Sequence, residues 1–212
     1  MNLTNYYWYF QSVVPTRICD EIVRYGKQLQ DQMAVTGGYG REQGNKPLSR
    51  QQVKDLKKKR DSDIVWLSER WIYKEVQPYV HRANAAAGWN FQWDYSESCQ
   101  FTQYKKGQYY DWHCDGWDKP YQRQQGDPSN GKVRKLSVTL TLSDPKDYRG
   151  GELEFDFRNL DPDKKPNIRK CKEILPKGSL VVFPGFVWHR VCPVKKGTRH
   201  SLVMWSLGWP FK

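Results

Sequence analysis

The second half of the chain alternates apolar and polar residues with a period of two, and this pattern constrains the fold more than any other feature. Every second residue from Leu136 to Leu142 is apolar, and serine or threonine fills the positions between. The segments 153–157, 180–183 and 202–205 are further predicted strands, separated by turns containing Gly, Pro and Asp. Many short strands joined in this way favour a β-sandwich or a jelly roll.

The beginning of the chain combines one predicted strand with one predicted helix. Residues 6–14 are aromatic and β-branched, which favours a strand. A helix should begin at Pro15 and Thr16, because apolar residues then recur at helical spacing, and the glycines at 37–40 should end it. Residues 36–60 are rich in Gly, Gln and Lys and are predicted to form a long connection.

A second helix is predicted after Ser68, a residue type that often caps helix N-termini. Gly88 is a suitable stop, and Pro78 inside the apolar pattern predicts a kink or two short helices.

The length of 212 residues suits a single domain spanning residues 1–212. We expect a mainly β protein with flanking helices (α+β). The strand and helices of residues 1–91 should pack on one sheet of a jelly-roll core formed by residues 92–212.

The chain is basic, with a formal net charge of +12. This charge permits an acidic partner such as nucleic acid, an anionic surface or an acidic protein segment. The basic residues are dispersed apart from one run, Lys57–Arg60, which we expect to be an exposed connector.

The five cysteines are scattered and form no Cys-x-x-Cys pair, so the sequence does not support a zinc knuckle or a redox motif. Reduced thiols in a bacterial or phage-infected host cytoplasm are the expected state. The first residues do not resemble a signal peptide, and no apolar run approaches membrane length. We therefore expect a cytoplasmic protein without a membrane partner.

Four residues suggest chemistry: His113, Asp115, His189 and Arg199. Two imidazoles and one carboxylate on one face of a metal are the ligand set of non-heme Fe(II) oxygenases. Arg199 follows the second histidine by ten residues and could hold the far carboxylate of an anionic co-substrate. Cys114 should point away from the metal, because alternate side chains of an extended strand face opposite sides.

The sequence around these residues resembles the prolyl 4-hydroxylase-like branch of the 2-oxoglutarate- and Fe(II)-dependent dioxygenases, especially its small bacterial and phage members. The resemblance is strongest from Ser98 to Trp209. The segments that carry it are Tyr104–Asp115, Arg134–Ser143, Tyr148–Phe155 and Phe183–Arg199, with Arg60–Leu67 before them. The resemblance implies a double-stranded β-helix, another name for the jelly roll, whose N-terminal helices cover one sheet.

The resemblance also implies roles for individual residues. Fe(II) would be held by three residues that are both catalytic and metal-binding, His113, Asp115 and His189. The co-substrates would be 2-oxoglutarate and O2, with L-ascorbate as reductant. The residues implied for 2-oxoglutarate are Arg199, Tyr104 and Thr141. The candidate substrate-binding residues are Arg134, Tyr110, Trp112, Trp117 and Tyr121, and the loop 117–131 is a candidate lid over the substrate.

The leading functional hypothesis is hydroxylation of a prolyl residue in a peptide or protein, with decarboxylation of 2-oxoglutarate to succinate and CO2. The same chemistry on nucleic acid or a free amino acid is an alternative. The demethylases of alkylated bases usually carry a second arginine six residues after the equivalent of Arg199, whereas this chain has Trp205 there. A non-catalytic jelly-roll binding module is the third hypothesis, and the complete ligand set argues against it.

Overall fold

The computed structural model describes residues 3–35, 58–116, 119–158 and 163–211; in the first helix the side chains are described up to residue 30. Two antiparallel sheets form the body of the fold, and two helices cover one of them. The helices are α1 (Thr16–Val35) and α2 (Arg70–Ala86), and a short 3-10 helix spans Lys172–Ile174. The strands of the described residues are β1 (Trp8–Phe10), β2 (Arg60–Asp61), β3 (Asp63–Leu67), β4 (Tyr95–Ser96), β5 (Cys99–Tyr104), β6 (Tyr109–His113), β7 (Val133–Thr141), β8 (Tyr148–Gly150), β9 (Leu153–Asp156), β10 (Ile168–Lys170), β11 (Leu180–Pro184), β12 (Trp188–Val191), β13 (Val194–Gly197) and β14 (Arg199–Gly208).

The larger sheet has the order β1-β11-β7-β14-β5-β3, with β4 added at β14. The smaller five-stranded sheet has the order β10-β9-β12-β6-β2, and β13 and β8 form a separate pair. Apart from the pair β9 and β10, the strands that lie side by side in both sheets are non-consecutive in the chain, as in a jelly roll. The predicted fold class is therefore confirmed.

Two apolar clusters hold the layers together. One lies between the helices and the larger sheet, and it includes Ile22 of α1, Ile72 of α2 and Leu140 of β7. The other lies between the two sheets, where Phe155 of the smaller sheet packs edge-on against Phe183 of the larger one. The functional residues described below lie at this second interface.

Helix α1 approaches the larger sheet closely at Gly26. A Cβ atom at this position would lie 2.6 Å from the ring of Phe101 on β5, so only glycine fits without a shift of helix or ring. The predicted start of this helix is confirmed at Thr16, while its predicted end at residues 37–40 lies outside the described residues.

Helix α2 differs from its prediction in two respects. It begins at Arg70 with Glu69 as N-cap residue, so the prediction of Ser68 as the cap is wrong. The carboxylate of Glu69 accepts the backbone N–H of Ser68 and thereby fixes the chain just before the helix. Pro78 does not divide the helix, because four buried side chains on both sides of it anchor one continuous apolar face: Ile72, Val76, Val80 and Ala83. Gly88 follows the helix end with a φ of +73°, as the predicted stop requires.

The first strand is shorter than the predicted segment 6–14. It covers Trp8–Phe10 and pairs with β11. The chain turns sharply at Ser12, which has a φ of +49°, and the backbone N–H groups of Val13 and Val14 then both bond to Gly178.

Residues before position 92 contribute strands as well as helices to the fold. Strands β1 and β3 lie at the two edges of the larger sheet, and β2 lies at one edge of the smaller one. The division at residue 91 stays a prediction, but the strands before it are built into both sheets.

The alternating strand β7 is buried on both faces. Its apolar residues, such as Leu136 and Leu140, face the helices. Its serine and threonine side chains are also buried, and Ser137 pairs across the sheet with Phe183, whose ring faces the smaller sheet. The polar face of the predicted pattern therefore lines the interior between the sheets.

Two further predictions concern properties of the whole chain. No helix of the described residues is long and apolar enough to cross a membrane. All five cysteines are free thiols, in agreement with the expected reduced state.

Candidate metal centre

The backbone of the smaller sheet brings three possible metal ligands together. His113 ends β6, Asp115 follows two residues later, and His189 on β12 pairs directly with His113. The Asp115 carboxylate lies 3.7 Å from Nε2 of His113 and 3.5 Å from Nε2 of His189. One ligand atom from each residue lies within 4.8 Å of the other two, which is close enough to share one ion.

The hydrogen bonds of the two imidazoles leave the inner nitrogens available. Nδ1 of His113 lies 2.7 Å from the carbonyl of Asp111, and Nδ1 of His189 lies 2.9 Å from the carbonyl of Val187. A carbonyl only accepts, so Nδ1 carries the proton and Nε2 offers a lone pair toward Asp115. This donor set fits a divalent transition metal such as Fe(II).

The charge states also fit a metal. Burial raises the pKa of Asp115, but the two histidines, Arg134 and the Trp205 indole together outweigh burial and lower that pKa to about 2. Burial and the neighbouring His189 lower the pKa of His113 to about 3. At neutral pH Asp115 is therefore an anion and His113 is neutral, the forms in which both side chains bind metals.

A β-bulge shapes the aromatic wall beside His113. The step from His189 to Val191 is two residues along β12, whereas the paired step from His113 back to Tyr110 is three residues along β6. The extra residue puts Tyr110 on the same side as His113, and their rings stack with centroids 3.6 Å apart. On the other side Phe183 meets His189 edge-on at 4.7 Å.

Arg199 lies at the start of β14, opposite Tyr104 on β5. Its side chain is only 2% exposed, and its guanidinium carbon lies 5.6 Å from the centre of the Tyr104 ring. Nη1 donates to Ser201 Oγ at 3.2 Å, and Thr141 is the direct cross-strand neighbour of Ser201. No acidic side chain of the described residues pairs with this guanidinium, so this buried cation lacks a counter-ion among them and favours an external anion.

Gly151 supports the position of Arg199. Its φ of +68° is uncommon for other residues, and a Cβ atom here would lie 2.9 Å from Cδ of Arg199 and 2.9 Å from a methyl group of Val194. The absence of a side chain at Gly151 therefore leaves room for the aliphatic part of the Arg199 side chain.

Arg134 and Trp205 form a second wall near Asp115. The guanidinium of Arg134 lies 3.8 Å above the Trp205 ring and pairs with Glu97 at 2.6 Å. Burial raises the pKa of the nearby Tyr121 to about 12, although the positive charge of Arg134 acts in the opposite direction. The Tyr121 hydroxyl also bonds to Glu97, the partner of Arg134. The candidate substrate residues Arg134 and Tyr121 thus meet on one side of the site.

Of the other two candidate substrate residues, Trp112 does not join this group. Trp112 stacks against Arg190 at 4.7 Å, and Arg190 follows His189 on its strand and so faces away from the metal ligands. Trp117 lies outside the described residues. The loop that follows Trp117 is closed at its base by bonds from Tyr121 to Lys132 and from Gly131 to Tyr121, and its role as a lid stays a prediction.

Arg60 is a site residue that the sequence interpretation missed. The expectation of an exposed connector is wrong for Arg60, because it belongs to β2, which pairs with β6. Its guanidinium lies 4.7 Å from the centre of the Tyr110 ring, and Nη2 is buried without a hydrogen-bond partner among the described residues. Cys114 lies outside the ligand group as expected, since its thiol donates to the carbonyl of Phe186.

A comparison with protein families identifies the chain. The family model described as the 2OG-Fe(II) oxygenase superfamily matches residues 99–207, just over half of the sequence. The chain belongs to this superfamily. The resemblance in the sequence is thereby confirmed. The family implies Fe(II) as the cofactor and 2-oxoglutarate and O2 as co-substrates.

Curated relatives match about half of the chain. A PKHD-type hydroxylase of Pseudomonas fluorescens is 34% identical over 103 residues, which is 49% of this chain and 40% of that protein. The PKHD-type hydroxylase YbiX of Escherichia coli is 36% identical over 106 residues, 50% of this chain and 40% of that protein. The chain thus spans less than half the length of these relatives.

Solved structures agree with the whole described fold. The viral collagen prolyl hydroxylase of Paramecium Bursaria Chlorella virus-1 in its 2-oxoglutarate complex has a TM-score of 0.63 and 20% identity, covering 97% of both chains. A Trichoplax adhaerens prolyl hydroxylase in complex with a hypoxia inducible factor peptide fragment has a TM-score of 0.62 and 18% identity, covering 96% of this chain and 84% of that one. At this identity the likeness shows the fold alone.

Proposed function

We propose that the protein is an Fe(II)- and 2-oxoglutarate-dependent dioxygenase that hydroxylates a prolyl residue of a peptide or protein. His113, Asp115 and His189 would hold the iron, and Arg199 the far carboxylate of 2-oxoglutarate. The observation that carries the proposal is the buried Arg199 guanidinium, which has no acidic partner among the described residues and lies at the same sheet interface as the three ligands.

The chain's own residues would bind and orient the reactants. When bound, iron and 2-oxoglutarate would supply an oxidative decarboxylation in which 2-oxoglutarate, O2 and the C–H bond of the substrate yield succinate, CO2 and the hydroxylated substrate, one oxygen atom going to each of the two organic products. Arg199 offers a planar guanidinium that can pair with a carboxylate through two hydrogen bonds. Tyr104 is buried beside it, and burial raises the pKa of its phenol, so the hydroxyl stays protonated and can donate. Thr141 is a third candidate at this end of the site.

A proline-containing peptide suits the surroundings of the ligands. Tyr110, which is partly exposed and stacks on His113, is a candidate contact for a pyrrolidine ring, whereas the Trp205 ring is buried beneath Arg134 and supports that arginine. Arg134 is held between Glu97 and Trp205, where its N–H groups could reach a peptide carbonyl. The prolyl hydroxylases among the structural neighbours support this choice of substrate. Trp112 is not part of this proposed surface.

Two accessory features belong to the proposal. Ascorbate would return oxidised iron to Fe(II), as expected from the sequence resemblance. A cytoplasmic location suits the five free thiols.

The decisive assay measures succinate and product together. With Fe(II), 2-oxoglutarate, ascorbate and a set of proline-containing peptides, we expect succinate formation and a mass gain of one oxygen on a peptide. His113→Ala, Asp115→Ala and His189→Ala should each abolish both signals and weaken iron binding, whereas His81→Ala should not, because His81 is exposed on α2. Full activity in any ligand variant would refute the proposed iron site.

Other substrates are separated by the same readout. Oligonucleotides with alkylated bases and free proline are assayed beside the peptides. A product from either of these and none from any peptide would replace the prolyl substrate and leave the iron chemistry intact. Absence of 2-oxoglutarate-dependent succinate with every substrate, despite bound iron, would favour the non-catalytic module.

A further inference from the structure

A cleft of about 490 Å³ lies beside the metal centre, and it is separate from the groups discussed so far. We call it the aromatic cleft. One wall is the segment 90–94 and the other is the segment 208–211, and Lys135 of β7 forms its floor. The two walls are in close contact, since the N–H of Asp94 bonds to Leu207 and a Cβ atom on Gly208 would lie 2.2 Å from the carbonyl of Gln92.

The floor of the aromatic cleft carries a buried positive charge. Lys135 is only 4% exposed, and its ammonium nitrogen lies 3.4 Å from the centre of the Phe211 ring. No carboxylate among the described residues lies within ion-pair distance of it, and burial lowers the pKa of this lysine. The nearby Lys132 differs, because it pairs with Asp94 at 2.7 Å. An unpaired buried ammonium is costly and attracts an anion from outside.

The walls supply an apolar surface that is partly open to solvent. Trp209 is 62% exposed and Phe211 is 39% exposed. The Phe211 ring is held edge-on against Phe91 at 4.9 Å and against Phe186 at 5.9 Å. Exposed rings that are fixed in this way can hold an apolar side chain at low entropic cost.

A backbone connection joins the aromatic cleft to the metal centre. The carbonyl of Lys135 accepts the N–H of Gly185, and the carbonyl of Gly185 accepts the N–H groups of Asp115 and Gly116. One glycine therefore links the floor of the cleft to the segment that carries the Asp115 ligand. The cleft floor and the Asp115 segment are therefore two hydrogen-bonded steps apart along the backbone.

We infer that the aromatic cleft binds a second segment of the peptide substrate, with a side-chain carboxylate against Lys135 and an adjacent apolar residue against Trp209 and Phe211. The inference rests on the proposed function for the peptide nature of the substrate. It adds a preference for an acidic residue at a fixed distance from the hydroxylated one. The net charge of +12 agrees with an acidic partner.

The test uses fluorescent proline-containing peptides in which one glutamate is moved stepwise along the sequence, each with a glutamine counterpart. Binding to the full chain is measured by fluorescence anisotropy, with no turnover required. We expect one register in which glutamate binds at least about tenfold more tightly than glutamine. Lys135→Met keeps the length of the side chain and should abolish this difference, whereas Lys135→Arg should retain it. Thermal unfolding establishes that both variants fold.

The outcomes separate the inference from the proposed function. If no register distinguishes glutamate from glutamine, or if the difference survives in Lys135→Met, the carboxylate site is refuted. A single-stranded oligonucleotide that binds more tightly than every peptide, and loses this advantage in Lys135→Met, would also overturn it. If the difference is found and depends on Lys135 while no peptide is hydroxylated, the cleft stands and the prolyl hydroxylase proposal fails.

Discussion

At the scale of single residues, Arg199 is a buried positive charge of the site with no acidic partner among the described residues. Replacing Arg199 with alanine should raise the KM for 2-oxoglutarate by roughly a hundredfold or more, because loss of one partner from a buried charge pair costs about 3–5 kcal/mol. Iron binding should change little. Arg190→Ala is the control, since Arg190 pairs with Glu154 on the face away from the ligands. Equal KM values in the two variants would show that the carboxylate binds elsewhere.

His200 is a second residue whose environment makes a measurable prediction. It is buried between Ser143 and Gln103, and burial lowers its pKa from 6.5 to about 4. Between these pH values the unfolded chain binds a proton that the folded chain does not, so stability falls as the pH drops. Over this window the loss should amount to about 3 kcal/mol, at 1.36 kcal/mol per pKa unit.

The measurement is urea unfolding at pH 7 and at pH 4. The wild type should lose about 3 kcal/mol more than His200→Gln between these conditions. His81→Gln removes an exposed imidazole and should follow the wild type. Parallel losses in the wild type and His200→Gln would contradict the neutral, buried state of His200.

At the scale of elements, the turn between β8 and β9 contacts Arg199 at the start of β14 and helps to position it. Gly151→Ala should raise the KM for 2-oxoglutarate, because the added Cβ atom meets Cδ of Arg199. Gly107→Ala is a matched control: Gly107 also has a positive φ, of +88°, but its Cβ position has nothing within 4 Å. Both variants should lose on the order of 1–3 kcal/mol of stability through backbone strain. Only Gly151→Ala should affect 2-oxoglutarate; an unchanged KM would mean that Arg199 can adjust.

The elements also show what a sequence can and cannot predict here. His113, Asp115 and His189 were recognisable because two lie in one short motif and few histidines compete with them. Strict alternation could not place Trp112 and Tyr110, since the bulge in β6 becomes visible only when β6 pairs with β12.

Arg60 and Lys135 illustrate a second limit. Arg60 follows a run of lysines, and only the pairing of β2 with β6, about fifty residues away, brings it to Tyr110. The burial of Lys135 depends on the rings of residues 91 and 211, at great distances in sequence. Local pattern carries no signal for such contacts, whereas the larger strands and the start of α1 were predictable from periodicity.

At the scale of the whole molecule, iron-site occupancy should stabilise the fold. A metal that binds only the folded chain contributes about 2.7 kcal/mol at a hundred times its Kd. For a domain of this size, this corresponds to a rise in Tm of about 5–10 °C. Mn²⁺ is a suitable probe, and thermal unfolding with and without it checks the prediction. Asp115→Ala should show no rise, and a rise equal to that of the wild type would place the metal elsewhere.

The two halves of the proposed site belong to different sheets. The three metal ligands lie on β6, the residues just after it and β12 of the smaller sheet, while Arg199 and Tyr104 belong to the larger one. A dicarboxylate held at one end by the metal and at the other by Arg199 must span the gap between the sheets. Under the proposed function, the distance between the two sheets would therefore limit the length of the dicarboxylate that can bind. Under that function, a keto acid with one methylene fewer or more would satisfy only one end, so the spacing of the sheets together with Arg199 would select the length of the dicarboxylate.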